Sequence, residues 1–234
     1  MSKTSSSSPA VPTAASQLCD LIRSDLLDGQ FEPGSKLAID AIAARYSSGQ
    51  TPVREALNRL TSEGLVQRLD QRGFAVANVT RDDLLEITKT RCWLEEIGLR
   101  ESILHRTPAW EENLVLAHHR LSRTPRSLSD EAFQNNPEWE PLHRAFHTAL
   151  IGNCGSQWLI RFCHQLSDQL YRYRQLSMQR TYPKRHEADE HRMIVDAALA
   201  GDADHAVALL KHHYDKTAEM IRSTPEIFGL GRNN

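Results

Sequence analysis

The chain has 234 residues, 40% hydrophobic and 25% charged, with a formal charge of −2 at pH 7. That is an ordinary globular composition, long enough for one large domain or two smaller ones, each with its own core. A dedicated nucleic-acid coat would be basic overall, whereas a protein that meets nucleic acid through one small positive face need not be, so the near-neutral balance argues neither way.

The first stretch, Met1 to Ala15, is rich in Ser, Pro and Ala and has no continuous apolar core, so it is expected to be a disordered leader rather than a secretory signal. No apolar run approaches the roughly 18 residues of a membrane span. A cytoplasmic location is the resulting expectation, with no membrane partner. The cysteines Cys19, Cys92, Cys154 and Cys163 form no CxxC pair and are expected to be reduced and mostly buried.

Leu18, Leu21, Ile22, Leu26 and Leu27 recur at helical spacing and predict a helix from Ser16 to Leu27, stopped by Asp28-Gly29. Pro33-Gly34 makes a turn. A second helix is predicted from Ile39 to Tyr46. Pro52 suits the start of a third, with Thr51 as its N-cap and Val53, Ala56, Leu57 and Leu60 as its buried stripe; Gly64 ends it. Leu65 to Leu69 and Phe74 to Val79 read as strands around an Asp70-Gln71-Arg72-Gly73 turn. Helix, helix, turn, helix and hairpin form a winged helix-turn-helix layout.

After a joint at Thr80 to Asp83 the pattern is helical: Leu84 to Leu104, Trp110 to Leu121, Pro141 to Ile151, Trp158 to Ser177, Glu187 to Ala200 and Asp202 to Met220. Arg123 to Asn136 is polar and reads as a loop, and no strand-like alternation follows Val79. The fold class is therefore mostly α: an N-terminal winged helix-turn-helix over 16–79 and a C-terminal antiparallel all-α bundle over 84–222. The joint spans 80–83, and 223–234 is a tail expected to be poorly ordered.

A helix-turn-helix unit places its second helix in the major groove. Gln50, Thr51, Arg54 and Arg59 are the outward candidates, with Asn58 behind them. Gln50 suits an adenine edge, while Arg54 and Arg59 suit phosphates. Lys36 and Arg45 flank the helix, and Arg72 and Gly73 at the wing tip suit the minor groove.

The series Gly29…Pro33-Gly34…Leu37…Ile42-Ala43…Thr51-Pro52-Val53-Arg54-Glu55-Ala56-Leu57…Leu60…Glu63-Gly64-Leu65-Val66…Gly73…Val76 resembles the DNA-binding domain of the GntR family of bacterial transcription regulators. The family usually has Ser-Arg-Thr before Pro-Val-Arg, and this chain has Gly49-Gln50-Thr51. A DNA-contacting arginine of the family is glutamine here, which bears on the operator sequence and not on the fold.

His143 and His147 are four apart on one helix and share a face. About ten residues separate His191 from the Gly201-Asp202 turn and about eleven separate the turn from His213, so two antiparallel helices return both to one height. Four imidazoles can thus converge on Zn²⁺, Ni²⁺ or another first-row ion. Against this, eleven histidines pair often by chance, and a lone histidine on an apolar face is more often a hydrogen-bonded core residue. His118-His119 and His212-His213 include members on opposite helix sides, and His105, His186 and His205 lie near expected ends.

Arg91-Cys92-Trp93-Leu94-Glu95, Phe146-His147…Gly152-Asn153 and Glu190-His191…Ile194…Ala197…Gly201-Asp202…Ala206…His213 are similar to the FCD ligand-binding domain of the FadR-type branch of that family. The resemblance implies a metal held by one aspartate and three histidines. His147, His191 and His213 fall on the histidine positions, and His143 stands where the aspartate is usual. It further implies a small carboxylate effector completing the metal's coordination, with arginines neutralising it. Arg91 matches a family arginine, though a salt bridge to Glu95 explains it equally. Arg172 and Arg174 lie on the helix expected to wall the cavity, where one facing inward is plausible. Asn153 either donates to the ligand or caps a helix, and His164 is a weaker pocket candidate.

The expected protein is a ligand-responsive repressor, not an enzyme, acting as a homodimer on a pseudo-palindromic double-stranded operator. A metal-dependent hydrolase using the histidines is the weaker alternative, because no HExxH, nucleophile elbow or phosphate loop is present. A helical partner-binding module is the third.

Overall fold

The computed structural model describes residues 13–70, 72–129, 131–178 and 187–229. Most of the expected leader, Gln71 of the hairpin turn, His186 and the last residues of the tail lie outside the described residues. The chain divides into two compact units, Met1–Ala77 and Asn78–Asn234.

In the first unit α1 runs Ala14–Leu27, with the Thr13 hydroxyl accepting from the Ser16 N–H. It is followed by β1 (Lys36–Leu37), α2 (Ile39–Arg45), α3 (Gln50–Ser62), β2 (Val66–Leu69) and β3 (Gly73–Val76). The antiparallel sheet has the order β1-β3-β2, with Val66 opposite Val76 and Lys36 opposite Ala75. Leu18, Ile22, Leu26, Val53, Leu57, Leu60 and Phe74 are buried, so α3 presses its apolar stripe inward and leaves its polar face outside.

Three details differ from the sequence expectation. β1 is only two residues long, too short to show alternation, and exists because β3 has a second edge to pair. Gly49, not Thr51, is the N-cap of α3. Pro52 is nonetheless accommodated in that first turn, whose N–H groups have no intrahelical acceptor. The strands are also shorter than expected, β3 ending at Val76.

The second unit contains α4 (Arg81–Leu104), α5 (Pro108–Ser122), α6 (Trp139–Ile151), α7 (Gln157–Met178), α8 (Glu187–Ala200) and α9 (Ala203–Arg222). Thr80, Thr107 and Asp202 cap α4, α5 and α9 through side-chain oxygens that accept from the first turn. The main core gathers Leu99, Trp110, Leu114, Phe146, Leu150, Ile194 and Leu210. A second cluster joins Val79, Leu84, Leu170, Tyr173 and Ile221 to Ile227. Ile227 lies in a 3₁₀ turn, Pro225–Gly229, so the start of the tail is packed, contrary to expectation, because a buried apolar side chain anchors it. No helix among the described residues is long and apolar enough to cross a membrane.

At the middle of α4 the backbone meets α6 and α7 closely. A Cβ on Gly98 would lie 3.0 Å from both Ile151 Cβ and Leu159 Cδ2. Gly98→Leu is therefore expected to destabilise the protein by about 1–3 kcal/mol through overpacking, despite the better helix propensity of leucine. A lower urea midpoint at unchanged m is the expected reading; a midpoint equal to wild type would show that the contact yields freely.

Candidate functional site

His143 and His147 stand one turn apart on α6, His191 stands on α8 and His213 on α9. Gly201, with φ of +79°, and the Asp202 cap reverse the chain between α8 and α9. One ligand atom from each imidazole lies within 4.8 Å of all the others. All four rings are buried. His143 and His147 face each other through Nε2 atoms 3.2 Å apart. Burial, reinforced by Arg174 beside the first and Arg91 beside the second, holds both well below the ordinary histidine pKa, so they are neutral and present lone pairs.

A second layer orients the rings. Glu190 Oε2 lies 2.8 Å from His213 Nδ1, and an ionised carboxylate only accepts, so Nδ1 donates and Nε2 is left as an acceptor. The Tyr214 hydroxyl donates to Glu95 and stands 2.9 Å from His147 Nδ1, which favours the same tautomer. His143 differs. Arg174 Nη1 lies 3.3 Å from its Nδ1, so that nitrogen accepts, and the proton sits on Nε2 towards His147. Glu140 Oε2, 3.7 Å from His143 Nδ1, is buried without a hydrogen-bond partner.

These residues fit a metal ion. A four-coordinate ion about 2.1 Å from each nitrogen places tetrahedral donors about 3.4 Å apart, so the most widely spaced imidazoles close in by about 1.4 Å on binding it. The unpartnered Glu140 oxygen is where a His143 Nδ1–H would donate if Nε2 turned to a metal.

A small cavity beside the imidazoles is lined by Thr88, Arg91, His143, Arg174, His213 and Tyr214, among others. Arg91 Nε donates to Glu95 Oε1 at 2.6 Å, with its guanidinium 4.2 Å from the centre of the Tyr214 ring. Burial opposes the Arg91 charge, but Glu95 and Tyr214 outweigh it and leave the pKa raised. Arg174 Nη2 donates to Glu140 Oε1 at 2.7 Å.

The other ligand candidates go elsewhere. Arg172, two residues before Arg174, projects to a different side of α7 and donates to the Asn78 carbonyl at 3.1 Å. Asn153 is not among the residues lining the cavity. Its amide caps α4 by donating to the His105 carbonyl, and its N–H donates to Ser102 Oγ at 3.1 Å, because the loop after α6 passes the end of α4. His164 is 2.9 Å from the Thr148 hydroxyl and is likewise outside the lining. Glu140, Glu190 and Tyr214 were missed by sequence reasoning, although Glu140 lies one turn before His143 and Tyr214 follows His213.

A larger groove of about 720 Å³ runs outside α4 and α9, past Trp93. Its rim charges Lys211, Lys216 and Arg222 are already paired with Glu96, Glu190 and Glu219, and it holds none of the four imidazoles. All four cysteines are free thiols; Cys19 and Cys163 are buried, Cys92 and Cys154 half-buried.

In the first unit Gln50, Thr51, Arg54 and Asn58 are exposed along one side of α3. Arg59 is about 140° round the helix from Arg54 and lies 3.8 Å from Glu63. Arg45 is held by Asp25 at 2.6 Å and stacks on Phe31, so its charge is already neutralised. Lys36, Arg72 and Gly73 are exposed on the sheet, and Gly73 has φ of +93°, which favours glycine at the hairpin.

A winged helix with an open recognition-helix face, joined in one chain to a helical bundle with a polar centre, defines the class of ligand-binding DNA regulators. Residues 14–76 match the gntR family of bacterial regulatory proteins, and residues 86–216 match the FCD domain. The chain belongs to the GntR family, in the branch with the ligand-binding FCD domain, and is a transcriptional regulator rather than an enzyme. It is 38% identical to an uncharacterized HTH-type transcriptional regulator, BphR, of Paraburkholderia xenovorans LB400, over 90% of this chain and 84% of that one. It is 32% identical to the HTH-type transcriptional repressor GlaR of Escherichia coli K12, over 82% of this chain and 88% of that one. The fold matches that of E. coli McbR/YncC with a TM-score of 0.73 at 20% identity, covering 90% of this chain and 98% of the other.

The Arg91–Glu95 pair yields a stability prediction. Glu95→Leu leaves a buried guanidinium uncompensated and is expected to cost about 3–5 kcal/mol. The double change Arg91→Met with Glu95→Leu should cost clearly less, as measured by urea unfolding of both variants. Equal losses would show that the ion pair is not the source of the penalty.

Proposed function

We propose that this regulator is a repressor that leaves its operator when a small carboxylate metabolite binds beside a divalent transition metal ion held by His143, His147, His191 and His213. The observation that carries this reading is the convergence of four buried imidazoles beside a cavity that Arg91 and Arg174 also line. An all-imidazole donor set suits zinc or nickel rather than magnesium or calcium. When bound, the ion supplies a Lewis-acid anchor for a carboxylate oxygen. None of the four donors is anionic, which favours a negatively charged ligand. That GlaR is a repressor supports repression as the mode of action.

The chain's own residues set the conditions. Glu190 and Tyr214 hold His213 and His147 with Nε2 directed inward, and Glu140 stands ready to accept from His143. Arg91 and Arg174 already have carboxylate partners, so an effector competes with Glu95 and Glu140 for them. The cavity measures about 20 Å³, room for about one water, so a metabolite enters only as the surrounding helices separate. Binding is thereby coupled to helix movement.

α7 supports a route from cavity to joint. Arg174 meets His143, while Arg172 holds the Asn78 carbonyl and the Tyr173 hydroxyl accepts from the Thr80 N–H and donates to Asp83. A shift of α7 would loosen the segment Val79 to Asp83, the joint between a DNA-reading domain over 16–79 and a sensing domain over 84–222. By linkage, the effector then binds less well to the operator-bound protein. Two copies would read a pseudo-palindrome through Gln50, Thr51 and Arg54, with Lys36, Arg59, Arg72 and Gly73 on the backbone or minor groove and Arg45 kept in place by Asp25.

Protein purified without a histidine tag is expected to carry about one equivalent of zinc or nickel per chain by elemental mass spectrometry, matching the single cluster among the described residues. Chelation should lower the thermal midpoint, and replenishment should restore it. Glu190→Gln should weaken metal affinity by about 10–100-fold without removing a ligand. Unchanged metal content in His143→Ala would sink the four-imidazole site as stated. Small carboxylates that release the loaded protein from DNA would identify the effector class.

A further inference from the structure

Gln50 opens α3 and Asp40 lies in the first turn of α2; both are exposed. Gln50 Nε2 donates to Asp40 Oδ1 at 2.5 Å. An ionised carboxylate only accepts, so the NH₂ end of the amide must face Asp40 and the carbonyl end must face away. One of the two amide hydrogens is taken. One N–H donor and the carbonyl acceptor remain on the same side chain, a pair that complements the N7 acceptor and N6 donor of adenine in the major groove.

We propose that Asp40 is a positioning residue for Gln50, and that the pair reads an adenine at one position of each operator half-site. The inference rests on the proposed role of α3 as the recognition helix. A glutamine pinned in one orientation has less side-chain freedom to lose on binding than a free one. The cost is a carboxylate on a surface that faces phosphates, which weakens sequence-independent binding. Asp40 also places negative charge at the N-terminus of α2, which has no side-chain cap. That contribution acts on the stability of α2 and is blind to base identity. Positioning, in contrast, is visible as a change of base preference at one position.

The test uses the full chain and a library of random-sequence duplexes, followed by titration of the selected duplex and its single-base variants. Wild type is expected to prefer adenine at one position per half-site by about 5- to 150-fold, the discrimination of a bidentate pair. Gln50→Ala should abolish preference at that position alone. Asp40→Ala should sharply reduce the same preference while raising affinity for unselected duplex, because one negative charge leaves the surface. Asp40→Asn, whose side-chain oxygen still accepts, should show the same gain in unselected affinity and keep the preference for adenine. Full preference in Asp40→Ala, or a profile unchanged in Gln50→Ala, overturns the inference and leaves operator binding standing. Failure of the wild type to select any duplex overturns the recognition-helix reading and this inference with it.

Discussion

A charge taken out of water must be compensated, and in the helical unit the pairing of a buried guanidinium with a carboxylate organises the centre. Arg91 and Glu95 lie one turn apart on α4 and are almost fully enclosed. Glu95 takes one bond from Arg91 and another from Tyr214 of α9. Tyr214 meets His147 of α6, His147 meets His143, and His143 meets Arg174 of α7, which closes on Glu140. Each polar atom constrains the next, so the rotations of these four helices are tied together. Such a network contributes less net stability than an apolar core of the same volume. Through Arg174 it ties the imidazoles to α7, and α7 also holds Asn78, Thr80 and Asp83.

The DNA-reading unit is built on the opposite plan. Its core beneath α3 is apolar throughout, from Leu18 and Ile22 of α1 to Phe74 and Val76 of the sheet. Polar side chains are kept on the outside, where Asp25, Glu63 and Asp40 pair with Arg45, Arg23 and Gln50. Those pairings sort the cations. Arg45 is already neutralised, while Arg54 and Lys36 have no ion pair among the described residues and remain exposed.

Periodic patterns made much of the fold legible. The end of α8 at Ala200 follows directly from the sequence, and the ends of the other helices differ by a few residues. The misses have local causes. β1 is a two-residue strand with no period to detect, the N-cap of α3 lies two residues before the expected one, and Ile227 packs a segment that reads as a polar tail. At the candidate site the four histidines could be read from spacing, because a helix places residues four apart on one face and a hairpin returns its arms to one height. Their partners could not. Glu190 adjoins His191 in sequence but serves His213, since adjacent residues on a helix face different neighbours.

What the sequence determined by itself was local: which segments are helical, where glycine and proline end them, and that Arg91 and Glu95 share a face. Those follow from backbone geometry over a few residues. Only the tertiary structure decided that Arg174 meets His143 while Arg172 turns to Asn78, that Asn153 caps α4 instead of reaching the cavity, and that Asp40 faces Gln50. These outcomes depend on how far each helix is rotated about its own axis, and that rotation is set by close packing against distant parts of the chain, as at Gly98 against Ile151 and Leu159.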